Sequence, residues 1–473
     1  MSPDWKEEAS ARIGSFVQDL KVFLAINSIE DMGTAKEGKP FGEGVARALE
    51  YLLERGAADG FRTKNVDGYA GVIEYGEGEE EVGVLVHVDV VTVGDGWTTP
   101  PFEPHIRDGK IYARGAIDDK GPALAAYYAM RIVADSGLPL SKRVRLIIGT
   151  DEESGWLCMK HFAEKENVPE IGFSPDSSFP MIHAEKGQIN PTLTLPIQPE
   201  PGGGLRLLSF AAGDQGNSVP DKAVARIAAF PGEAAPLASL QEGWEAFLHR
   251  HGVSGELKKM AAEEWQFTLR GKPAHGSTPE EGTNAGTLLA SFLCRDAFAG
   301  SDFAFLSFLG KVLHEDYYGE NLGMACEDEV SGKLTVNPGI LRYHPEEGAS
   351  VRLNIRYPAT ISCDEYVEKL KSTVDGFGWT IAGLRTSKSH FVPKDHPVIR
   401  TLSGVYEEHT GLPAHLLSSG GATYAKIMSA GVAFGPLFPG KESVAHMADE
   451  YAEIDDLVKA MAIYAHAIYE LAK

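Results

Sequence analysis

Across residues 4–25 apolar side chains recur at helical spacing between charged ones (Trp5, Ile13, Phe16, Val17, Leu20, Phe23, Leu24), which predicts an amphipathic helix at the start of the chain. Residues 43–56 repeat the pattern. Two strands are predicted next, 61–66 and 70–75, the second following the Asp67-Gly68 turn signal. The run 82–88 is almost unbroken Val and Leu, the texture of a strand covered on both faces in a parallel or mixed sheet. A helix rich in Ala, Leu, Tyr and Met is predicted over 121–136 and a buried strand over 143–150, ending on Asp151, Glu152 and Glu153. Strand, helix and strand in this order predict an α/β layer fold.

The texture changes from about residue 185. PTLTLPIQPEPGGG, residues 191–204, is rich in Pro and Gly and reads as a linker or exposed connection. Between it and about residue 385 the strands look shorter and more alternating (205–210, 265–270, 333–337, 350–357). Helical stretches lie among them near 239–250, 284–297 and 364–374, so a separate α+β domain is expected. The α/β rhythm returns after residue 395, with a helix at 397–409, a strand at 432–437 and a last helix at 455–472. That helix opens on Asp455 and Asp456, which suit the positive end of its dipole. The expected organisation is one domain from residues 1–184 and 386–473, with residues 185–385 inserted as a second. A chain of 473 residues exceeds the size at which a single core stops growing.

Composition narrows the function. The net charge is −23, from 67 acidic and 44 basic residues, and no long basic run offsets it, so no nucleic-acid or anionic-membrane partner is expected. The four cysteines, Cys158, Cys294, Cys326 and Cys363, are spaced too widely for a C-x-x-C pair and read as reduced thiols of a cytoplasmic protein. MSPDWKEEAS lacks the basic and apolar regions of a secretory signal. No apolar run approaches the length of a membrane span.

Candidate chemistry gathers where strands end. His87 and Asp89 lie two apart and face one way at the end of the run 82–88; a histidine that ligates metal usually gives its other ring N–H to a carboxylate or carbonyl, and Asp89 is placed to be that partner. Asp118 and Asp119 precede a predicted helix, where ligands sit in open α/β sheets and where acids also serve as helix caps. Repetition favours the first reading, because Asp151-Glu152-Glu153 and Asp176 close two further strands. Carboxylates from several strand ends repel one another unless a cation lies between them. Adjacent Glu152 and Glu153 point different ways on extended backbone, so one can bind metal while the other faces the water. His446 is the best placed second histidine. Nitrogen and oxygen donors without thiolate fit Zn²⁺ and also Mn²⁺ or Co²⁺.

HVDVVTVGDGW, GAIDDKGP, GTDEESG, SPDSSFP and the late His446 resemble the M20 family of metallopeptidases, and within it the PepV-type dipeptidases, which include Xaa-His dipeptidases and carnosinase-like enzymes. The resemblance runs over nearly the whole chain. It implies a zinc-peptidase-like, mixed-sheet catalytic domain with an inserted α+β lid domain. It also implies two divalent ions, Zn²⁺ first and Mn²⁺ or Co²⁺ as alternatives. One would be held by His87, Asp119 and Asp176, the other by Asp119, Glu153 and His446, with Asp119 as the bridge. Asp89 would support His87, and Glu152 would be the general base. In the lid, His275 of GKPAHGSTPEEGTNA matches an oxyanion donor and Asn217 of GNSVP a lid asparagine. Arg356 of LNIRYP matches an arginine for the substrate carboxylate, with Arg352 as its rival. Ser419, Gly420 and Gly421 begin SGGATYAK, which resembles a Gly-rich loop near the substrate C-terminus; backbone N–H groups at a helix start can hold a carboxylate. The implied activity is hydrolysis of dipeptides with a free N-terminus, by a monomer in preference to a dimer. Its rivals are a deacylase of N-acyl amino acids, such as a desuccinylase or deacetylase, and a metal-binding scaffold without catalysis.

Overall fold

The Val- and Leu-rich run becomes the strand Glu81–His87, buried along nearly its whole length. In this computed structural model, which describes residues 3–198, 204–261 and 263–473, that strand lies inside a mixed sheet. Its order is Arg62–Val66, Ala70–Tyr75, Arg143–Gly149, Glu81–His87, Ile171–Ser174, Ala430–Ala433, Met181–Glu185 and His390–Phe391, with Leu416–Ser419 also paired to Met181–Glu185. The four strands Arg143–Gly149, Glu81–His87, Ile171–Ser174 and Ala430–Ala433 run parallel. Parallel pairing brings their carboxyl ends to one edge of the sheet, the position where open α/β sheets bind ligands.

The helices Lys120–Asp135 and Ile454–Ala472 supply much of this unit's core, among them Leu124, Tyr127, Val133, Leu457, Met461 and Tyr464. Each fully buried aliphatic side chain contributes about 1.5–3 kcal/mol. The chain divides into two compact units: one runs up to Ala184 and resumes over Phe391–Lys473, and the other is Glu185–His390.

The second unit is built on an antiparallel sheet in the order Ser254–Ala261, Glu264–Arg270, Lys222–Ala229, Leu205–Ala212, Thr335–His344, Gly348–Tyr357, Gly187–Leu195 and Thr380–Ser387. Helices Ala234–His251, Ala285–Leu293 and Cys363–Gly376 accompany it, and its own core holds Trp244, Phe267, Leu289 and Trp379. Mixed α/β architecture with an α+β second unit is the expected fold class. Among the described residues, no helix is long and apolar enough to cross a membrane.

Three local expectations are corrected. The first helix is two, Trp5–Ala11 and Ile13–Leu24, meeting at Arg12; Asp4 Oδ1 caps the first by accepting from the N–H groups of Lys6 (3.0 Å) and Glu7 (3.1 Å). The linker predicted over 191–204 begins inside the strand Gly187–Leu195, where the alternation of Ile189, Leu193 and Leu195 buries one face and outweighs the proline signal. Pairing with Gly348–Tyr357 skips Asn190 and Pro191, which are in register with Arg385 and Leu384 of Thr380–Ser387. The linker's residues 199–203 lie outside the described residues. The strand predicted over 432–437 is Ala430–Ala433, and the separate pair Pro436–Leu437 lies beside Ser177–Ser178.

Candidate metal centre

His87 ends its strand with the ring fully buried. Nδ1 lies 3.0 Å from the carbonyl oxygen of Asp89, and since a carbonyl only accepts, Nδ1 carries a proton and Nε2 is the ring nitrogen left for the acids or a metal. Nε2 then faces Asp118 Oδ1 at 3.1 Å and Asp176 Oδ2 at 3.7 Å. The Asp89 carboxylate serves a neighbouring strand end, where its Oδ2 accepts from the N–H of Glu153 at 3.0 Å. One short segment thus fixes the histidine tautomer and the entry to the Glu152-Glu153 turn.

The strand Arg143–Gly149 delivers that turn. Asp151, first of the three acids, is occupied by the turn itself: its oxygens accept from the N–H groups of Gly155 and Leu157, each at 2.7 Å. Glu152 and Glu153 both reach the histidine. His87, Glu152 and Asp176 can present ligand atoms that all lie within 4.8 Å of one another, and so can His87, Asp118 and Glu153. Gly149 has to be glycine, because a Cβ there would stand 2.3 Å from the Tyr424 ring, which lies nearly perpendicular to that of His87 with centroids 6.3 Å apart. His446 completes the cluster, with Nε2 2.9 Å from Asp118 Oδ2 and 3.0 Å from Glu153 Oε1.

The two adjacent aspartates have different tasks. Asp118 turns one oxygen to each histidine. Asp119, expected to be the bridge, turns instead to main chain: its Oδ2 accepts from the N–H of His87 at 3.1 Å, and its Oδ1 is buried without a hydrogen-bond partner. The helix begins at the next residue, Lys120, and the two side chains point to different partners. The Asp119 side chain does not cap that helix, so capping does not account for the acid pair. Gly121 allows the tight turn, since a Cβ would lie 2.0 Å from the carbonyl oxygen of Ala116.

Crowding perturbs most of these groups. Burial, reinforced by the charge of Asp176, pushes the carboxyls of Asp119 and Glu152 well above their ordinary range. Burial and Asp118 do the same to Asp176, and raise Glu153 too. Asp118 goes the other way: burial opposes its charge, yet the hydrogen bonds from His446 and His87 outweigh it. Hydrogen bonds to Asp118 and Glu153 raise His446 to about 11. Burial likewise opposes charge on His87, but Asp118, Asp89 and Asp176 raise it well above its ordinary value. Carboxylates buried together without a positive charge to offset them, with two imidazole nitrogens among them, are a donor set that fits divalent metal.

The other expected site residues lie on other elements. Ser419, Gly420 and Gly421 follow the strand Leu416–Ser419 in the first unit. The helix start expected there is only the four-residue 3₁₀ turn Tyr424–Ile427, and Thr423 Oγ1 already accepts from the N–H of Ala425. Gly421 likewise gives its N–H to Ser419 Oγ at 2.9 Å. In the second unit, Asn217 and His275 are brought together: Ser218 and His275 form an antiparallel bridge, and Gly276 N–H donates to the Asn217 carbonyl at 2.7 Å. His275 Nδ1 lies 2.6 Å from Ser277 Oγ and 3.3 Å from the Ser277 main-chain nitrogen. Arg356 is buried and gives Nε–H to Asn354 Oδ1 at 3.0 Å, whereas Arg352 is exposed.

Two residues beside the cluster escaped the sequence reading. Arg114 and Glu450 form a fully buried ion pair, Nη1 to Oε2 at 2.6 Å. Their charge was visible in IYARGA and HMADE, but nothing local pairs residues so far apart in the chain.

The description "Peptidase family M20/M25/M40" matches this chain over residues 83–470. The chain belongs to that family. This M20 chain is 47% identical over 475 residues to "Putative dipeptidase YtjP" of Bacillus subtilis (strain 168), covering 99% of itself and 100% of that protein. Its fold is like that of the dipeptidase Dug1p of Saccharomyces cerevisiae, with a TM-score of 0.57 at 12% identity over 99% of this chain and 98% of that one. The aminoacylhistidine dipeptidase of Vibrio alginolyticus gives 0.56 at 15% identity, over 97% and 96%. Membership makes this M20 chain a hydrolase of the metallopeptidase class.

Proposed function

We propose that this M20 chain is a dipeptidase that works with two divalent ions, Zn²⁺ first and Mn²⁺ or Co²⁺ as alternatives, on short peptides with a free N-terminus. The observation that carries the reading is the carboxylate of Asp118, with Oδ1 3.1 Å from His87 Nε2 and Oδ2 2.9 Å from His446 Nε2. One oxygen for each histidine is what a bridging ligand needs. Asp118 therefore takes the bridging place expected of Asp119. His87 and Asp176 would complete one ion's ligands, and Glu153 and His446 the other's.

When bound, divalent ions in such a site lower the pKa of a water and polarise a carbonyl. The chain's own residues do the rest. Asp89 holds His87 in the tautomer that ligates and fixes the Glu153 main chain. Glu152, whose proton affinity is raised by burial and by Asp176, takes a proton from the attacking water and returns it to the leaving amine. In the second unit, the His275 ring suits a developing oxyanion, with Asn217 in the turn next to Ser218, the residue bridged to it. The Arg356 guanidinium suits a substrate carboxylate.

The four free cysteines support a reducing, cytoplasmic setting, and the size of the inserted unit supports a monomer. The test is removal of metal with a chelator and re-addition of Zn²⁺, Mn²⁺ or Co²⁺, followed by assay on a dipeptide panel beside N-acetyl and N-succinyl amino acids. Metal-restored cleavage of dipeptides is expected. Cleavage of the acylated amino acids alone would reassign the chain as a deacylase, and no cleavage of either would leave a metal-binding scaffold.

A further inference from the structure

Arg114 and Glu450 are 1% and 0% exposed, and a buried ion pair offers little net stability for its desolvation. What this pair does is visible in its remaining bonds, all of which go to main chain. Glu450 Oε1 accepts from the N–H groups of Ile117 at 3.0 Å and Asp118 at 3.2 Å. Arg114 Nη2 donates to the carbonyls of Thr92 (3.2 Å), Val93 (3.3 Å) and His446 (3.3 Å). The guanidinium lies 5.2 Å from the centre of the Trp97 ring, whose Nε1–H holds the Val93 carbonyl at 2.7 Å.

These bonds join the two loops that carry Asp118 and His446, one before the helix Lys120–Asp135 and the other before Ile454–Ala472. The second loop needs restraint, because His446 and Asp449 have φ of +65° and +55°, a conformation side chains rarely adopt. We infer that Arg114 and Glu450 are positioning residues, a clamp that ties the Asp118 main chain to the His446 main chain and fixes their spacing before metal arrives. The inference rests on the reading of Asp118 and His446 as ligands.

The first test uses the wild-type chain. In metal-free protein the amides of Ile117 and Asp118 should exchange hydrogen slowly, with little change on adding Zn²⁺; amides that are fast without metal and slow with it would overturn the clamp, since the ion would then be ordering the loop. The second is Glu450→Gln, which keeps the shape but removes the charge. Zn²⁺ affinity, read by chelator competition, should fall about 10–100-fold, with kcat reduced more than KM. Arg145→Lys is the control, because Arg145 is a buried arginine ion-paired to Glu74, Glu81 and Glu166; it should lower the melting temperature and leave Zn²⁺ affinity unchanged. Equal loss of affinity in both variants would overturn the proposal. If Glu450→Gln does not fold, Arg114→Lys, which keeps the charge but loses the fork to the His446 carbonyl, decides by the same competition. A wild type that takes up no metal would sink the ligand reading, whereas slow amides in that same protein would still uphold the tie between the loops.

Discussion

Asp118 Oδ2 lies 2.9 Å from Nε2 of His446, joining a carboxylate just before the helix Lys120–Asp135 to a histidine on the loop that leads to the last helix. The other oxygen of Asp118 is turned to His87, so one side chain addresses both histidines. Asp119 has no such geometry. Asp118→Asn should therefore abolish tight binding of both ions and reduce activity to the limit of detection. Asp119→Asn should retain bound metal and lose about 10–100-fold in affinity, as groups that orient ligands do. Metal content of the purified variants checks this; a metal-free Asp119→Asn beside a loaded Asp118→Asn would restore the bridge to Asp119.

Glu152 shares its surroundings with the metal-facing acids but differs in its task. Glu152→Gln keeps the size of the side chain and removes the proton acceptor. Turnover should fall by about 10²–10⁴-fold, with metal content close to wild type. Loss of metal in parallel with activity would make Glu152 a ligand, consistent with its place near His87 and Asp176, and Glu153 would then be the candidate base.

His275 is held at Nδ1 by Ser277, whose Oγ lies 2.6 Å away. If the ring stabilises an oxyanion, His275→Ala should lower kcat by about 10²–10³-fold with a smaller change in KM. An unchanged kcat would return His275 to the task of shaping the turn next to Asn217.

Much of this site could be read from strand ends, because buried Val and Leu runs that stop abruptly on acids leave few other uses for the charge. Parallel pairing then brings His87, Glu152, Glu153 and Asp176 to one sheet edge. What the sequence could not resolve was which of two adjacent aspartates faces the histidines, since both are the same residue and only the turn between strand and helix separates them. The linker was misread for a related reason: Pro191 and the glycines after it are strong local signals, whereas the Ile189, Leu193, Leu195 face gains its stability from partners far along the chain. Arg114 and Glu450 stayed unseen because only the fold brings them together.

His409 and His466 give an acid-sensitive contact away from the metal centre. His409 Nε2 lies 3.2 Å from His466 Nδ1, and His466 stacks on Trp5, so the pair joins the first helix to the last two. Burial, aided by the charges of His466 and Lys6, lowers His409 to about 4, against about 6.5 in an unfolded chain. Between those values the unfolded state binds more protons, so stability is fully present above about pH 6.5 and is lost as pH falls toward 4. His409→Gln removes this titration. Partial exposure weakens the effect, so the drop in melting temperature between pH 7 and pH 5 should shrink by about 2 °C in the variant. Thermal melts of the metal-free proteins at the two pH values provide the check, since metal binding has its own pH dependence. An equal or larger drop in the variant would show that His409 does not set acid stability, and that the charge on His466, which burial also lowers, is the group to change next.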